Sequence, residues 1–370
     1  MLDYTIFGES HGPAVGVLVT GAAPGLPVDR EIIARELERR APGGPLATAR
    51  HEPDRLHILS GVYQGFTTGD PICLVLENRD TRSGDYEALR NKPRPGHADY
   101  AAWVRSGGHN DPRGGGPYSG RLTAPLVAAG AMVKAWLKEQ DIQLTARVVD
   151  EPALRQQAAE AKAHGDSVGG EIACTVTGLP AGLGGPGWRE AVESELARHL
   201  FAIPAVKALG FGDGASLAHM RGSRANDPLR TDGTRVRTVT NHNGGINGGV
   251  TNGMPLTFTV TFKPTPSIAL PQDTVDLSRP SPGSRTACPS AGGRRRSCPS
   301  WAATTPASPC GRPPLWRRRR PWPCGGCWIP GAAAWTPCGC SWTMWTGSWW
   351  GCWSGGRSCP GTSGPIRRPT

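Results

Sequence analysis

The chain changes character near residue 280, and that break limits what can share one core. Up to Pro280, 29 Lys+Arg face 30 Asp+Glu; from Ser281 to Thr370 there are 12 arginines and no Lys, Asp or Glu. The net charge of +11 therefore belongs to the tail, and the first part is close to neutral. The tail also lacks Val, Phe, Tyr, His, Asn and Gln, and holds all but two of the 11 cysteines and all but three of the 13 tryptophans. Without Val or Phe, and with Pro, Gly and Arg abundant, such a segment has little from which to build a packed interior. An Arg-rich tail could bind nucleic acid, and clustered cysteines could bind zinc. However, Cys324-x-x-Cys327 and Cys338-x-Cys340 have no histidine anywhere in the tail to join them. The composition matches GC-rich codons read out of frame. The expectation is residues 1–280 as one domain and 281–370 as an out-of-frame tail that is disordered and not natively folded.

Within the first part, the stretch from Arg94 to Ala129 concentrates chemistry. It reads R-P-G-H-A-D-Y and then R-S-G-G-H-N-D-P-R-G-G-G-P-Y-S-G-R-L-T-A-P-L-V-A-A-G-A. His97, Asp99, His109, Asp111 and four arginines (94, 105, 113, 121) sit beside glycines that let backbone approach a ligand closely. An apolar, helix-compatible run from Leu122 to Gln140 follows, so the glycines lead to a helix N-terminus that could present N–H groups to an anion. The stretch reads as the floor of an anion-binding site. Other polar clusters lie on loops. Gly8-Glu9-Ser10-His11-Gly12 precedes an apolar strand, and Arg39-Arg40 ends a helix whose N-cap is Asp29. Asn241 to Gly253 is dense in Gly and Asn. Gly210-Phe-Gly-Asp-Gly-Ala215 does not fit a dinucleotide fingerprint.

Strand-like runs at 15–20, 56–62, 71–76, 142–149, 170–177 and 256–263 alternate with helical patterns at 29–40, 122–140, 152–164 and 188–201. Gly222 to Asp232 reads as polar loop. This order argues for a layered α/β or α+β architecture. No apolar run is long enough for a transmembrane helix and no signal-peptide pattern is present, so the expected location is the cytoplasm.

Seven motifs in order resemble the chorismate synthase family. They are F-G-E-S-H-G at 7–12, R-R-x-P-G at 39–43, S-G-V-Y-Q-G-x-T-T-G at 60–69, R-P-G-H-A-D-Y at 94–100, S-G-R-L-T-A-P-L-V-A-A-G-A at 119–131, G-G-I-N-G-G at 244–249 and K-P-T-P-S-I at 263–268. The resemblance implies an α+β, layered β-α-β sandwich. It also implies a lyase of the shikimate pathway, in aromatic amino acid biosynthesis. That enzyme eliminates phosphate from 5-enolpyruvylshikimate 3-phosphate in a trans-1,4 sense and requires reduced FMN. NADPH would be an indirect reductant through an external flavin reductase, and the assembly a homotetramer acting on a small molecule, without membrane or nucleic-acid partners. By position, His11 and His97 would be catalytic. Ser10, Arg40, Arg94, Ser119 and Arg121 would hold substrate anions. Ser119, Gly248, Lys263, Pro264, Thr265, Pro266 and Ser267 would line the flavin, and no metal is implied. His11 and His97 would face each other across the pocket, and His109 would have no role. A substrate with one phosphate and two carboxylates suits such a density of cations, and histidine suits proton transfer near neutrality.

Four residues depart from the family pattern: Leu46 for a second Arg, Pro112 for Tyr, Pro117 for His or Arg, and Pro204 for Asn. The G-R-H-D-P-C motif, which carries part of the family's flavin site and proton relay, is also missing from the frame. Shifting the frame by one base over Trp301 to Ala307 forces Gly and then permits Arg-His-Asp-Pro-Cys. A frame change between about Asp276 and Trp301 accounts for both the break and the loss. Two alternatives remain: a remnant that binds FMN without turnover, and nucleic-acid binding through the tail.

Overall fold

The computed structural model describes residues 2–41, 54–79, 86, 89–278 and the strand Thr286–Cys288. The loop around Leu46 and the tail beyond Cys288, with the expected frame change, lie outside the described residues.

The first half is an antiparallel four-stranded sheet under two helices. β1 (Asp3–Gly8) turns into β2 (Ala14–Thr20), with Gly8 opposite Val15. α1 (Arg30–Arg40) follows, and Asp29 caps it by accepting from the backbone of Glu31 and Ile32. β3 (Leu56–Ser60), the short hairpin β4 (Val62–Tyr63) with β5 (Phe66–Thr67), and β6 (Ile72–Glu77) come next. The sheet order is β1-β2-β6-β3. Alternation along β6 buries Ile72, Leu74 and Leu76 against Val15, Val17 and Val19 of β2. α2 (Asp99–Ser106) and α3 (Thr123–Lys138) complete this half. α3 is apolar on several faces, burying Ala124, Ala128, Ala131, Met132 and Trp136. It packs on β2 and β6 and also reaches the next strand, β7 (Gln143–Val148), so a helical layer stands between two sheets.

The second half repeats the scheme. α4 (Glu151–Ala163), β8 (Gly170–Thr177), α5 (Val192–Leu200) and β9 (Val206–Phe211) follow β7. Then come α6 (Gly222–Ala225), the hairpin β10 (Leu229–Thr231) with β11 (Val236–Thr238), and the hairpin β12 (Ile246–Asn247) with β13 (Val250–Thr251). β14 (Leu256–Phe262) is central in the order β7-β8-β14-β9, and β15 (Gln272–Thr274) pairs with β16 (Thr286–Cys288). Leu256, Phe258 and Val260 meet Val176, Val192 and Val206 in a second core. The architecture is the expected α+β layering. Among the described residues no helix is long and apolar enough to cross a membrane.

Three local readings change. Residues 99–106 form α2 where the sequence reads as site floor; the helix stops where Gly107 adopts φ 62°. α5 begins at Val192 rather than Trp188. The preceding residues instead form turns, with the Gly185 N–H donating to the Glu190 carbonyl and the Ala191 N–H to that of Gly187. Within 222–232, expected to be loop, α6 and β10 form, and β10 pairs with β11 around a turn held by Asp232. That carboxylate accepts from the backbone of Thr234 and Arg235.

Leu74 is fully buried at the centre of the first sheet. Leu74→Ala is expected to destabilise the fold by about 3 kcal/mol, read as a lower midpoint in urea unfolding.

Candidate active site

Arg40 and Arg121 converge on one buried carboxylate, Asp54. Arg40 donates from Nε (3.2 Å) and Nη2 (2.9 Å) to Asp54 Oδ2, and Arg121 Nη1 donates to Oδ1. The Arg121 and Asp54 side chains are 3% and 4% exposed. Arg121 also donates to Asn78 Oδ1 (2.9 Å) and to the Glu77 carbonyl (3.0 Å), and Ser119 Oγ accepts from its backbone N–H (3.2 Å). Helix end, strand end and the turn before α3 thus meet at one carboxylate. Two guanidiniums meet on one carboxylate where solvent screening is weak, a setting in which cations attract an anionic ligand.

Asn78 carries this arrangement to the β1–β2 loop. Its amide donates to the carbonyls of Glu9 (2.8 Å) and Gly12 (2.9 Å), bracketing Ser10 and His11. Ser10 is buried, its N–H donates to the Gly116 carbonyl (3.2 Å), and its Oγ lies 3.0 Å from His11 Nδ1. Gly114, at φ 62°, lies against the imidazole: a Cβ there would stand 2.4 Å from ring atoms of His11 and 2.9 Å from Ser10 Oγ. The Tyr86 ring meets His11 edge-on with centroids 4.9 Å apart, and the Arg94 guanidinium lies 5.5 Å from the Tyr86 centroid.

Arg94 grips Asp99 at the start of α2, with Nε to Oδ2 at 2.7 Å and Nη2 to Oδ1 at 2.8 Å, and also donates to the Gly114 carbonyl (2.8 Å). Burial pushes the Asp99 carboxyl upward, but the hydrogen bonds and charge of Arg94 prevail and hold it below its ordinary value. Three residues after Arg94, His97 bonds the Pro95 carbonyl through Nδ1 (3.0 Å) and meets Ser267 Oγ through Nε2 (2.9 Å). A carbonyl only accepts, so Nδ1 carries the proton and neutral Nε2 accepts from the serine hydroxyl. Burial first, and then the Arg94 cation, press the His97 value down against the opposing Pro95 carbonyl and Asp99, with Lys263 adding to the depression.

Lys263 Nζ donates to the Gly96 carbonyl (2.6 Å), and a Cβ on Gly96 (φ 70°) would meet Pro266 at 2.9 Å. The 263–267 strap is braced by Ser167, which donates to the Thr265 carbonyl (2.7 Å), and by Gln272, which donates to the Pro266 carbonyl (3.2 Å).

The structure thus gathers Ser10, His11, Arg40, Ser119 and Arg121 in one cluster, and His97, Lys263, Pro266 and Ser267 in a second. The Arg94–His97 loop joins them. Pro264 and Thr265 belong to the same strap. His11 and His97 make no described contact with each other; each faces its own neighbours. Gly248 lies apart, at the tip of the β12–β13 hairpin. His109 is a loop residue past α2, its N–H bonded to Ser106. Beside Arg94 and Asp99 opens a cavity of about 330 Å³ lined by Trp103, Arg105, Asp111 and Tyr118, with Pro112 and Pro117 on its wall. Asp54 and Asn78 are organising residues that motif reading passed over, whereas Asp99, read as part of the site floor, is the carboxylate partner of Arg94. Their signal was a short polar side chain next to motif cations, which does not distinguish a buried partner from a loop residue.

The chorismate synthase family model matches residues 2–298. Chorismate synthase of Thermococcus kodakarensis is 47% identical over 305 residues, covering 75% of this chain and 86% of the relative. That of Aeropyrum pernix is 48% identical over 305 residues, covering 74% and 80%. A crystal structure of chorismate synthase superposes with a TM-score of 0.60 at 27% identity, covering 72% of this chain and 84% of that one. Motifs, fold and relatives agree: the chain belongs to the chorismate synthase family.

Proposed function

We propose that this chain binds 5-enolpyruvylshikimate 3-phosphate over the His11–Arg121 cluster and expels phosphate in a 1,4-elimination that requires reduced FMN. The observation that carries this reading is His11, held through Nδ1 by a buried Ser10 and backed by the Arg40–Asp54–Arg121 unit. An imidazole so placed can deliver a proton to a departing phosphate oxygen, and the guanidiniums stabilise the charge that develops on it. Arg40, at the rim with 19% exposure, faces the ligand most directly. Arg94 and Arg121 act by setting the field and the loop positions, because several of their donors are already committed to Asp99, Gly114, Asp54, Asn78 and Glu77.

The residues present suit a flavin. Lys263, Thr265 and Ser267 supply a cation and hydroxyls on a braced strap. Gly248 has nothing within 4 Å of where a Cβ would stand, leaving backbone open to a planar ring. Ser119 stands at the edge of the substrate cluster, its Oγ on the Arg121 backbone. Reduced FMN, when bound, supplies transient electron density to the substrate as phosphate departs. Neutral His97, its Nε2 turned to Ser267, is suited to hold a proton beside that strap. A homotetramer, and an external reductase drawing on NADPH, belong to this reading.

The reading includes an impairment: without G-R-H-D-P-C, the chain lacks part of the proton relay. Chorismate formation is measured anaerobically with reduced FMN. The comparison is a version whose codons 276–301 are restored to the motif-bearing frame. The expected result is turnover by the restored chain and a rate about 100-fold lower for the chain as it stands. No turnover by the restored chain would overturn the activity, and equal rates would overturn the impairment.

Gly114→Ala drives a methyl into the His11 ring from a left-handed backbone, so the activity of the restored chain is expected to fall at least about 10-fold, with flavin affinity little changed. His97 is expected to titrate below 6.5 by histidine NMR. A lowered folded value means the stability it contributes is complete above the unfolded value and is lost as pH falls through the folded one. A measured value above 6.5 would contradict the burial argument.

A further inference from the structure

A closed circuit of contacts surrounds His11. Arg94 Nη2 donates to the Gly114 carbonyl (2.8 Å). Gly114 lies against the imidazole, where a Cβ would stand 2.4 Å from Nδ1 and from Cε1. The imidazole meets the Tyr86 ring with centroids 4.9 Å apart and planes at 77°. The Tyr86 ring in turn lies under Arg94, whose guanidinium carbon is 5.5 Å from the ring centroid. One cation therefore steadies two neighbours of the imidazole, Gly114 through a hydrogen bond and Tyr86 through its π face. Arg94 is itself fixed. Asp99 accepts from its Nε, its Nη2 and its backbone N–H, and the Arg94 side chain is only 9% exposed.

The remaining restraint on His11 is the Ser10 hydroxyl at Nδ1 (3.0 Å). A hydrogen bond at one ring atom sets distance but does not fix the plane of the ring, because the outer torsion of a histidine side chain is broad. An aromatic neighbour at a steep angle does fix it, since edge-to-face packing is favoured over other arrangements. Tyr86 is half-buried, and its hydroxyl makes no hydrogen bond among the described residues. Its contribution is therefore the ring. We propose that Tyr86 is a positioning residue for His11, its ring steadied by Arg94 and holding the imidazole plane in the orientation from which the proton is delivered. This rests on the reading of His11 as the acid given above.

Histidine NMR on the full-length chain tests the geometry, and kinetics test its use. The His11 resonances are identified by their loss in His11→Gln. Tyr86→Leu is expected to shift and broaden them while those of His199, held by Tyr4 and Glu195, stay in place. Tyr86→Phe, which keeps the ring, is expected to leave both sets near their parental positions. Turnover with reduced FMN is read on the chain as it stands and on its frame-restored version. Tyr86→Leu is expected to lower kcat about 10-fold with KM little changed, and Tyr86→Phe to keep the parental kcat. Gly114→Ala and Tyr86→Leu act on one imidazole, so the double variant should lose less than the product of the two single losses. Unchanged His11 resonances in a folded Tyr86→Leu protein would overturn the proposal. A raised KM at parental kcat would make Tyr86 a ligand-binding wall and overturn it as well. So would a Tyr86→Phe chain as slow as Tyr86→Leu, because the hydroxyl and not the ring would then matter, and so would losses that simply multiply. A parent and a restored chain that both lack turnover would count against the proposed reaction alone, and the NMR comparison would then decide for or against Tyr86.

Discussion

Asp54 is the point on which the site depends. It is a nearly buried carboxylate shared by Arg40 at the end of α1 and Arg121 just ahead of α3. Taking these charges out of water costs several kcal/mol per ion, recovered only when geometry and additional hydrogen bonds are good. Here the remaining donors of Arg121 find Asn78 and the Glu77 carbonyl, so the end of β6 is tied into the same unit. The hydrophobic packing of α1 and α3 on the first sheet brings these residues together, and the ion cluster then fixes their register. Removing Asp54 would leave two cations facing each other. Removing Arg121 would leave Asp54 half-compensated and Asn78 without its donor.

From that unit the order passes outward. Asn78 brackets Ser10 and His11 through the Glu9 and Gly12 carbonyls, and Gly114 limits how far the imidazole can tilt. Arg94 repeats the device on a smaller scale, joining Asp99, the Gly114 carbonyl and the Tyr86 ring. The two histidines are held in different electrostatic settings. His11 rests on a serine near the Arg40–Asp54–Arg121 cluster. His97 is half-buried, hydrogen-bonded at both nitrogens and kept neutral. Side chains with one chemistry are thus given different surroundings by their neighbours.

Much of this was legible in the residues. The alternation of Ile72, Leu74 and Leu76, the Asp29 cap and the Gly170–Thr177 strand follow from period and capping rules, and the structure has them as read. The helix Asp99–Ser106 was hidden because its chemistry-bearing residues, Asp99 and Arg105, drew attention from its apolar Ala102 and Trp103. Trp188 resembled a helical anchor, but three glycines before it impose turns. The partners of the motif arginines were the least legible. Asp54 lies 14 residues from Arg40 and 67 from Arg121, and only the folded sheet brings them together.

The central claim is that the Arg40–Asp54–Arg121 unit sets His11 through Asn78. The direct measurement is the histidine NMR spectrum of Asn78→Ala beside that of the unaltered chain. Asn78 bonds the loop backbone on both sides of His11 and makes no described contact with His97. The account predicts that the His11 resonances shift and broaden while those of His97 stay in place. Unchanged His11 resonances in a folded Asn78→Ala protein would contradict it.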